Sequence, residues 1–390
     1  MKQRKRIGLV LTYRNTNYGA QLQAFATQYI VESLGVETEI VQRRSRVIDF
    51  IFVEYCWGLL RFAFNYIIPK KRKVKEDANN DPIFMENKKA REKVEKEFIK
   101  RRLHNIKIYD GYLNLKKAGK NFDAVLIGSD QLWLPGFSFG NTLSLKFAPK
   151  STRKISYATS LGVSTFPKYF WKSSRKVWKS IDYLSVREEE GAAIIRQICG
   201  SDINVQVVVD PTYLLTREQW CGLIPNEIKS KEKYVFCYFL GDEKSPKEIA
   251  RKFADNKNLK LISLLSDESI STIDQTYADE LVTGNTPEDF INWIRGAEYV
   301  MTDSFHGLAF SVINEKQFFV FYRHRAGTQS RHSRIDNILR KWNLSDRLVL
   351  EPMNVVDLED KTEIDYVKVT EIVKQEREKS LMFLNKALTF

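Results

Sequence analysis

The chain has 390 residues, 43% hydrophobic and 12% aromatic, enough for two sizeable cores, which excludes a disordered or fibrous protein. Lysine and arginine outnumber aspartate and glutamate by 62 to 49, so the formal net charge of +13 favours anionic partners. The four cysteines are scattered without disulfide-framework or zinc-site spacing, which is typical of a reducing compartment. The N-terminal residues have no signal-peptide pattern, so we expect a cytoplasmic protein.

Short β-rich segments alternate with helical segments along most of the chain. The first half predicts strands at residues 7–13, 38–42, 124–128, 155–159, 183–186 and 205–210, with helices at 19–34, 168–180 and 188–198. After a polar stretch that reaches residue 233, the second half predicts strands at 234–240, 259–265, 299–302 and 318–322, with helices at 246–256, 287–295, 305–313 and 364–388. This alternation predicts two doubly wound α/β domains with parallel strands.

Residues 50–68 depart from this alternation. They are rich in aromatic and aliphatic side chains, contain Glu54 and Arg61, and precede the basic run PKKRKVK at residues 69–75. One interpretation is an interfacial helix whose basic run meets anionic headgroups, which would place the protein on the inner face of the cytoplasmic membrane. The other interpretation is a buried helix followed by a solvated basic loop.

The first candidate site is the turn NTNYGAQLQ at residues 15–23, between the first strand and the first helix. Such a turn lies at the carboxyl edge of a parallel sheet, where ligands bind. Gly19 permits close backbone approach, the helix start suits an anion, and Asn15, Asn17 and Gln21 add neutral donors. The glycine pattern of dinucleotide-binding turns is absent. A well-capped turn without a ligand is the alternative.

The second candidate is LIGSDQLW at residues 126–133, where a hydrophobic strand ends and polar side chains follow. Ser129, Asp130 and Gln131 are expected at the same sheet edge, where Asp130 could take a proton from a sugar hydroxyl. Trp133 could stack on the face of a sugar. The alternative is an aspartate that only caps the following turn.

The third candidate is Arg187, which follows a predicted strand and opens a helix in SVREEEG at residues 185–191. Its guanidinium could bind a carboxylate or phosphate in bidentate fashion. The acids at 188–190 suit the start of a helix, and an ion pair with them is the alternative role of Arg187.

The fourth and strongest candidate is MTDSFHGLA at residues 301–309, where a strand ends and a helix begins at once. His306 is one of only four histidines and sits at this helix start. The helix dipole disfavours a cationic histidine there, so Asp303 or an anionic substrate within reach would be needed to hold its proton. A downstream basic loop contains Arg323, Arg325 and Arg334, which could close over a phosphate or be solvated.

Together with DPTYLL at residues 210–215, these segments resemble the polysaccharide pyruvyl transferase family, in the expected order between residues 6 and 337. The resemblance implies an α/β fold with two Rossmann-like domains facing a central cleft, a GT-B-like architecture. Residues 1–212 would form the acceptor side and residues 213–362 the phosphoenolpyruvate side. The helix within 363–390 would cross back to the first domain.

The resemblance also implies an activity. Family members move the enolpyruvyl unit of phosphoenolpyruvate onto a sugar of a cell-surface or capsular polysaccharide precursor, which forms a pyruvate ketal and releases phosphate. The implied partners are phosphoenolpyruvate as co-substrate and a sugar or lipid-linked oligosaccharide acceptor. No metal and no cofactor are required by this chemistry.

By matching positions, the resemblance assigns roles to the candidate residues. His306 would be the catalytic acid, with Asp130 or Asp303 as the base. The expected donor-binding residues are Arg187, Ser304, Arg323, Arg325 and Arg334. The expected acceptor-binding residues are Asn15, Asn17, Tyr18, Gly19, Gln21, Ser129, Gln131 and Trp133. Several family members have Arg-Leu-His where this chain has Ser304, Phe305 and His306. One phosphate-binding cation is therefore missing at this position, and Arg323, Arg325 or Arg334 could replace it.

Two other functions remain open at this point. A nucleotide-sugar glycosyltransferase on the same fold would need a carboxylate for the donor ribose, for which Glu351 is a candidate. A non-catalytic protein that binds an anionic polymer or membrane would fit the net charge. The sequence contains no nucleic-acid-binding motif, so nucleic acid is not an expected partner.

Overall fold

Two parallel β-sheets organise the protein, one of seven strands and one of six. The computed structural model describes residues 4–44, 81–268, 270, 273–323, 333–350 and 355–390. Along β4 (Ala124–Ile127), Leu126 packs into one hydrophobic cluster while Val125 and Ile127 pack into another. Both faces of the strand are therefore covered, which explains why its sequence is a continuous hydrophobic run instead of an alternating pattern.

The first sheet has the strand order of a doubly wound domain. Its other strands are β1 (Arg6–Val10), β2 (Glu37–Arg44), β3 (Ile106–Asp110), β5 (Arg153–Thr159), β6 (Tyr183–Val186) and β7 (Val205–Val207). The helices of this half are α1 (Tyr18–Ser33), α2 (Pro82–Arg102), α3 (Gly111–Ala118), α4 (Trp171–Trp178) and α5 (Glu189–Cys199). The spatial order β3-β2-β1-β4-β5-β6-β7 reverses direction between β1 and β4, and ligands bind at the carboxyl end of such a switch point.

The second sheet repeats the same topology. Its strands are β8 (Tyr234–Tyr238), β9 (Lys260–Leu264), β10 (Glu280–Val282), β11 (Tyr299–Thr302), β12 (Gln317–Phe321) and β13 (Leu348–Val349). The helices are α6 (Arg217–Leu223), α7 (Ser245–Asn256), α8 (Pro287–Gly296), α9 (Phe305–Ile313), α10 (Ser333–Lys341), α11 (Val355–Glu359) and α12 (Tyr366–Leu388). The order β10-β9-β8-β11-β12-β13 makes this half Rossmann-like as well, which confirms the predicted fold class.

The last helix, α12, contacts strands of the first sheet although it follows the second. The Arg153 guanidinium on β5 donates to the carbonyl of Ala387 at 2.9 Å. The Val209 N–H donates to Ser380 Oγ at 3.0 Å, and the rings of Phe383 and Tyr157 lie 6.3 Å apart. These contacts fasten the end of the chain to the first half of the molecule.

Helix α2 forms a second connection between the halves. It precedes β3 of the first sheet, yet its buried Arg91 forms an ion pair with Asp267 at 3.3 Å and donates to the carbonyl of Leu265 at 3.1 Å, both in the second half. Arg91 also donates to the carbonyl of Thr16 at 2.6 Å, in the turn before α1. A single buried cation thus joins this turn to the second half of the protein.

Most predicted elements of both sheets are present, and the strands at 183–186 and 299–302 and the helix at 305–313 agree residue for residue. Two differences from the predictions have a clear local cause. The predicted strand at 205–210 ends at Val207, because the Asp210 side chain accepts from Thr212 N–H and starts a 3-10 turn at Pro211–Leu214. The polar stretch before β8 contains helix α6, which Thr216 and Gln219 cap reciprocally.

The segment at residues 50–68 and the basic run at 69–75 lie outside the described residues, as do Arg325 and Glu351. In the part of the chain that the structure does describe, no helix is long and apolar enough to span a membrane.

Candidate active site

The candidate site lies where the carboxyl ends of the first sheet meet the start of helix α9 in the second half. Ser129 and Asp130 follow β4, Arg187 follows β6, and Asp210 lies three residues beyond β7. His306 is the second residue of α9, directly after the end of β11. The two halves of the molecule therefore supply different side chains to one site.

Asp210 is the centre of the polar network in this site. Its fully buried carboxylate accepts from Arg187 Nη1 at 2.6 Å and from the Ser129 hydroxyl at 2.8 Å, both at Oδ2. Its other oxygen, Oδ1, accepts from the backbone N–H and the hydroxyl of Thr212, at 3.0 and 2.9 Å. Burial raises the pKa of Asp210, but the positive charge of Arg187 and the hydrogen bonds from Thr212 and Ser129 outweigh burial and lower it. Asp210 is consequently an anion at neutral pH.

The His306 ring lies across the interface between the halves, close to Asp210 and Gly19. Its Nε2 is 3.8 Å from Asp210 Oδ1, and this buried nitrogen has no hydrogen-bond partner among the described residues. A side chain on Gly19 could not fit, because its Cβ would lie only 2.6 Å from His306 Cβ and closer still to the ring. The glycine at the start of α1 therefore makes room for a histidine from the other half.

His306 is neutral in the unoccupied site. Burial is the main cause that lowers its pKa from 6.5 to about 4, and the nearby positive charges of Arg187 and Arg334 lower it further. The negative charges of Asp210 and Asp130 act in the opposite direction without overcoming these effects. An anion bound beside the ring would favour the protonated form, so the site can couple binding of an anion to protonation of His306.

Two arginines flank the ring of Phe305, the residue before His306. The guanidinium of Arg187 lies 4.2 Å from the ring centroid and that of Arg334 lies 5.7 Å from it. Burial and the neighbouring Arg187 lower the pKa of Arg334 from 12.5 to about 10, so it keeps its charge at neutral pH. Burial also disfavours the Arg187 cation, but Asp210 and Asp130 outweigh burial and raise the pKa of Arg187.

Several N–H groups of these arginines are buried and unused. Arg187 Nε and Nη2 and Arg334 Nε find no hydrogen-bond acceptor within the ranges that the structure describes. A buried donor without an acceptor costs about 1–3 kcal/mol, and more when it is charged. Two such guanidinium groups next to a neutral histidine can bind an anion with several oxygens.

Asp303 does not occupy the position that the sequence suggested. The Asp303 carboxylate accepts from the N–H groups of Leu240 and Gly241, both at 2.7 Å, and lies 3.5 Å from Arg323 Nε. Arg323 also pairs with Glu268 at 3.3 Å. The expectation that Asp303 holds the His306 proton is therefore corrected, since Asp303 fixes the loop after β8 and the carboxylate beside His306 is Asp210.

The polar residues of the first turn largely bond to one another. Asn17 caps α1 by accepting from the N–H of Ala20 at 3.2 Å, and Asn15 Oδ1 accepts from the N–H of Asn17 at 3.1 Å. Gln21 donates to the carbonyl of Asn15 at 2.7 Å, and the Tyr18 ring is buried against Phe290 with a centroid distance of 5.3 Å. These contacts form a rigid turn that holds Gly19 against His306.

The segment after β4 separates into a strained polar part and a buried apolar part. Asp130 has a left-handed backbone with φ of 80°, is partly exposed, and lies 4.0 Å from Arg187 Nη2. Gln131 packs beside Gly162, and its Nε2 has no hydrogen-bond partner in the described part of the chain. Trp133 is fully buried beside Trp178, and its N–H donates to the carbonyl of Leu143 at 3.1 Å. Its predicted stacking on a sugar is wrong, because the ring is part of the core.

Sequence reasoning brought together Ser129, Asp130, Arg187 and His306 but assigned no role to Asp210. The available signal was an Asp-Pro pair at the end of a predicted strand, at the sheet edge that carries the other site residues. Ser304 is the N-cap of α9 and accepts from Gly307 N–H at 3.3 Å, so its hydroxyl serves the helix. Arg334, on α10, is the cation that lies 5.7 Å from the ring of Phe305, the residue after Ser304.

Two facing Rossmann-like domains with a buried cationic site between them define a GT-B-like enzyme fold. A sequence model of the family described as "Polysaccharide pyruvyl transferase" matches residues 17–325, most of the chain. The chain belongs to this family and is therefore a transferase. A search of curated proteins found no match.

Similarity to a solved plant protein supports the fold, and two epimerases show weaker similarity. UGT89C1 of Arabidopsis thaliana is 10% identical, with 98% of both chains covered and a TM-score of 0.52. UDP-GlcNAc 2-epimerase of Neisseria meningitidis, bound to UDP-GlcNAc, is 10% identical, with 96% of this chain and 94% of that chain covered and a TM-score of 0.47. The corresponding Methanocaldococcus jannaschii epimerase is 11% identical, with 95% and 99% covered and a TM-score of 0.48. At these identities the likeness concerns the fold alone.

Proposed function

We propose that this protein transfers the pyruvyl group of phosphoenolpyruvate to a sugar of a cell-surface or capsular polysaccharide precursor, forming a pyruvate ketal and releasing phosphate. The observation that carries the proposal is the pair Arg187 and Arg334, whose buried, unused N–H groups lie next to His306. Phosphoenolpyruvate carries a carboxylate and a phosphate within one small molecule. Two guanidinium groups match these two anionic groups in number and are opposite to them in sign of charge.

The proposed chemistry starts with a proton. When the dianionic phosphate and the carboxylate enter the site, they favour the protonated form of His306, which is neutral without them. His306 then gives this proton to the methylene carbon, which becomes a methyl group, and the neighbouring carbon becomes oxocarbenium-like. Burial of the ring suits this step because water is kept away from the reactive carbon.

Two hydroxyl groups of the acceptor complete the reaction. The first hydroxyl adds to the electron-poor carbon, the carbon–oxygen bond to phosphate breaks, and the second hydroxyl adds to close the ketal. Two hydroxyl protons are released, of which one restores His306 and the other leaves with phosphate. Asp130 is the proposed base, since its carboxylate is partly exposed at the sheet edge and 4.0 Å from Arg187.

In this proposal, residues 1–212 bind the acceptor and residues 213–362 bind the donor together with Arg187, while the helix within 363–390 connects the two. The net charge of +13 supports a lipid-linked acceptor at an anionic membrane surface, with the protein on the cytoplasmic side. Co-sedimentation with phosphatidylglycerol vesicles and no co-sedimentation with phosphatidylcholine vesicles is the expected result. Equal binding to both, or to neither, would remove the membrane from the proposal.

The test of the activity is phosphate release from phosphoenolpyruvate with a panel of galactose, mannose and N-acetylhexosamine acceptors. We expect release with at least one acceptor, and a rate at least about 100-fold lower for H306Q, the usual size of a general acid's contribution. A protein that releases no phosphate with any acceptor but is stabilised against thermal unfolding by a UDP-sugar would be a nucleotide-sugar enzyme instead.

A further inference from the structure

We propose that Asp210 is the positioning residue of the site, which fixes Arg187 with one oxygen and faces the His306 ring with the other. The expected effects on the rate of phosphate release rest on the proposed function. Its structural basis is independent of the substrate, because Asp210 contacts residues from both halves of the molecule. Nothing in the sequence pattern of the four candidate segments assigns it this role.

The two oxygens of Asp210 have different surroundings. Oδ2 accepts from Arg187 Nη1 at 2.6 Å and from Ser129 at 2.8 Å, which holds the guanidinium by one nitrogen only. Arg187 Nε and Nη2, which have no acceptor in the described ranges, are thereby left for a bound anion. A fixed guanidinium loses little freedom when the anion arrives, so the carboxylate pre-organises the donor site.

The distance between Asp210 Oδ1 and His306 Nε2 has a specific consequence. At 3.8 Å it is too long for a hydrogen bond, so the Nε2 position remains available to a substrate. It is short enough for strong attraction between a carboxylate and an imidazolium in a buried site. Asp210 therefore supports the protonated ring without consuming the proton that the reaction needs.

Four charged groups act on His306, and Asp210 is the main one that favours its protonated form. Asp130 acts in the same direction, while Arg187 and Arg334 oppose protonation, as does burial itself. Without the negative charge of Asp210, Asp130 remains as the carboxylate that opposes the effect of both arginines on His306. The protonated fraction of His306 must then fall, and Arg187 loses the partner that orients it.

The first test uses D210N, which keeps an oxygen that can accept from Thr212 but removes the charge. We expect kcat for phosphate release to fall at least about 100-fold, with the loss of activity at high pH beginning about one pH unit lower than in the wild type. If Asp210 had only a structural role, D210N would lower the rate without changing the pH at which activity is lost. An unchanged pH for this loss would overturn the proposal.

A second readout is independent of phosphoenolpyruvate. The ring ¹⁵N shifts of His306, assigned by their loss in H306Q, report its protonated fraction in the free enzyme at pH 5. We expect this fraction to be about tenfold lower in D210N. If the wild type releases no phosphate but the fraction falls, the proposed function fails and the role of Asp210 stands. An unchanged fraction overturns the role of Asp210 whatever the activity.

T212V covers the case in which D210N does not fold. Valine has nearly the shape of threonine, and only the hydroxyl that donates to Asp210 Oδ1 at 2.9 Å is lost. Because Oδ1 then bears more unshared negative charge, the protonated fraction of His306 at pH 5 is expected to rise, and the high-pH limb of kcat to move upward. A fall, or no change, would contradict the proposal.

Discussion

The contact between Gly19 and His306 offers a sharp test of the site, because a single methyl group perturbs it. Gly19 lies in helix α1, where its backbone conformation accepts alanine readily. The Cβ atom of alanine would lie 2.6 Å from His306 Cβ, whereas ordinary contacts are 3.4 Å or longer. His306 Cβ is fixed to the backbone of α9, so rotation of the ring cannot relieve this overlap. The two helices must move apart by about 0.8 Å, the difference between these two distances.

The expected loss of activity in G19A follows from this displacement. A shift of about 1 Å in a reacting group costs on the order of 100-fold in rate, or about 2.7 kcal/mol in the activation barrier. Overpacking should lower the free energy of unfolding by about 1–3 kcal/mol, offset in part by about 0.5–1 kcal/mol from the better helix propensity of alanine. The protein should therefore stay folded while kcat falls.

The assay is steady-state phosphate release, with thermal unfolding measured on the same samples. G222A is the matched control, because Gly222 lies in helix α6 and has no atom within 4 Å of the added Cβ position. It should keep wild-type activity and gain about 0.5–1 kcal/mol of stability. If G19A is folded and its kcat stays within threefold of the wild type, the ring of His306 is not held at Gly19 during catalysis.

Three further predictions concern the charged groups. R187K should raise the KM for phosphoenolpyruvate by about 10–100-fold, because the single ammonium group of lysine cannot bind Asp210 and the donor at once as the planar guanidinium can. The control is R340K at an exposed position, which should leave this KM unchanged. R334Q should raise the same KM by about 10-fold or more, and an unchanged KM would remove Arg334 from the donor site. The low pKa of His306 predicts that stability depends on pH. Unfolding raises the pKa of His306 from about 4 to about 6.5, so between pH 6.5 and pH 4 the unfolded chain binds a proton that the folded protein does not. The free energy of unfolding therefore decreases as the pH falls through this range. Urea unfolding at pH 7 and pH 4 should show the wild type losing about 3 kcal/mol more than H306Q, and equal losses would contradict the buried neutral ring.

The sequence predicted helix boundaries well where capping residues mark the start of a helix. Helix α8 is an example, because Thr286 accepts from the Asp289 N–H at 2.9 Å, as expected of an N-cap followed by proline and acids. Helix α6 was missed although Thr216 and Gln219 form the same kind of cap, since the helix has only seven residues and little hydrophobic periodicity. Short elements are defined by their capping more than by a pattern of buried residues.

The parts of the site that sequence did not predict depend on distances between remote segments. Asp210 and His306 are separated by almost 100 residues, and no local pattern indicates that they face each other at 3.8 Å. The prediction that Trp133 stacks on a sugar was wrong for a related reason. An aromatic residue near the polar end of a strand can pack against a sugar or into the hydrophobic core, and the local sequence is the same in both cases. Only packing against Phe137 and Trp178 distinguishes the two.

Protonation of phosphoenolpyruvate by His306 during pyruvyl transfer is tested most directly by running the reaction in D₂O. The acceptor that gives phosphate release is incubated with phosphoenolpyruvate in D₂O, and the product is examined by NMR and mass spectrometry. We expect a sugar-linked pyruvate ketal whose methyl group carries one deuterium, formed at least about 100-fold more slowly by H306Q. A product without a ketal, or a ketal that H306Q forms at the wild-type rate, would contradict this expectation.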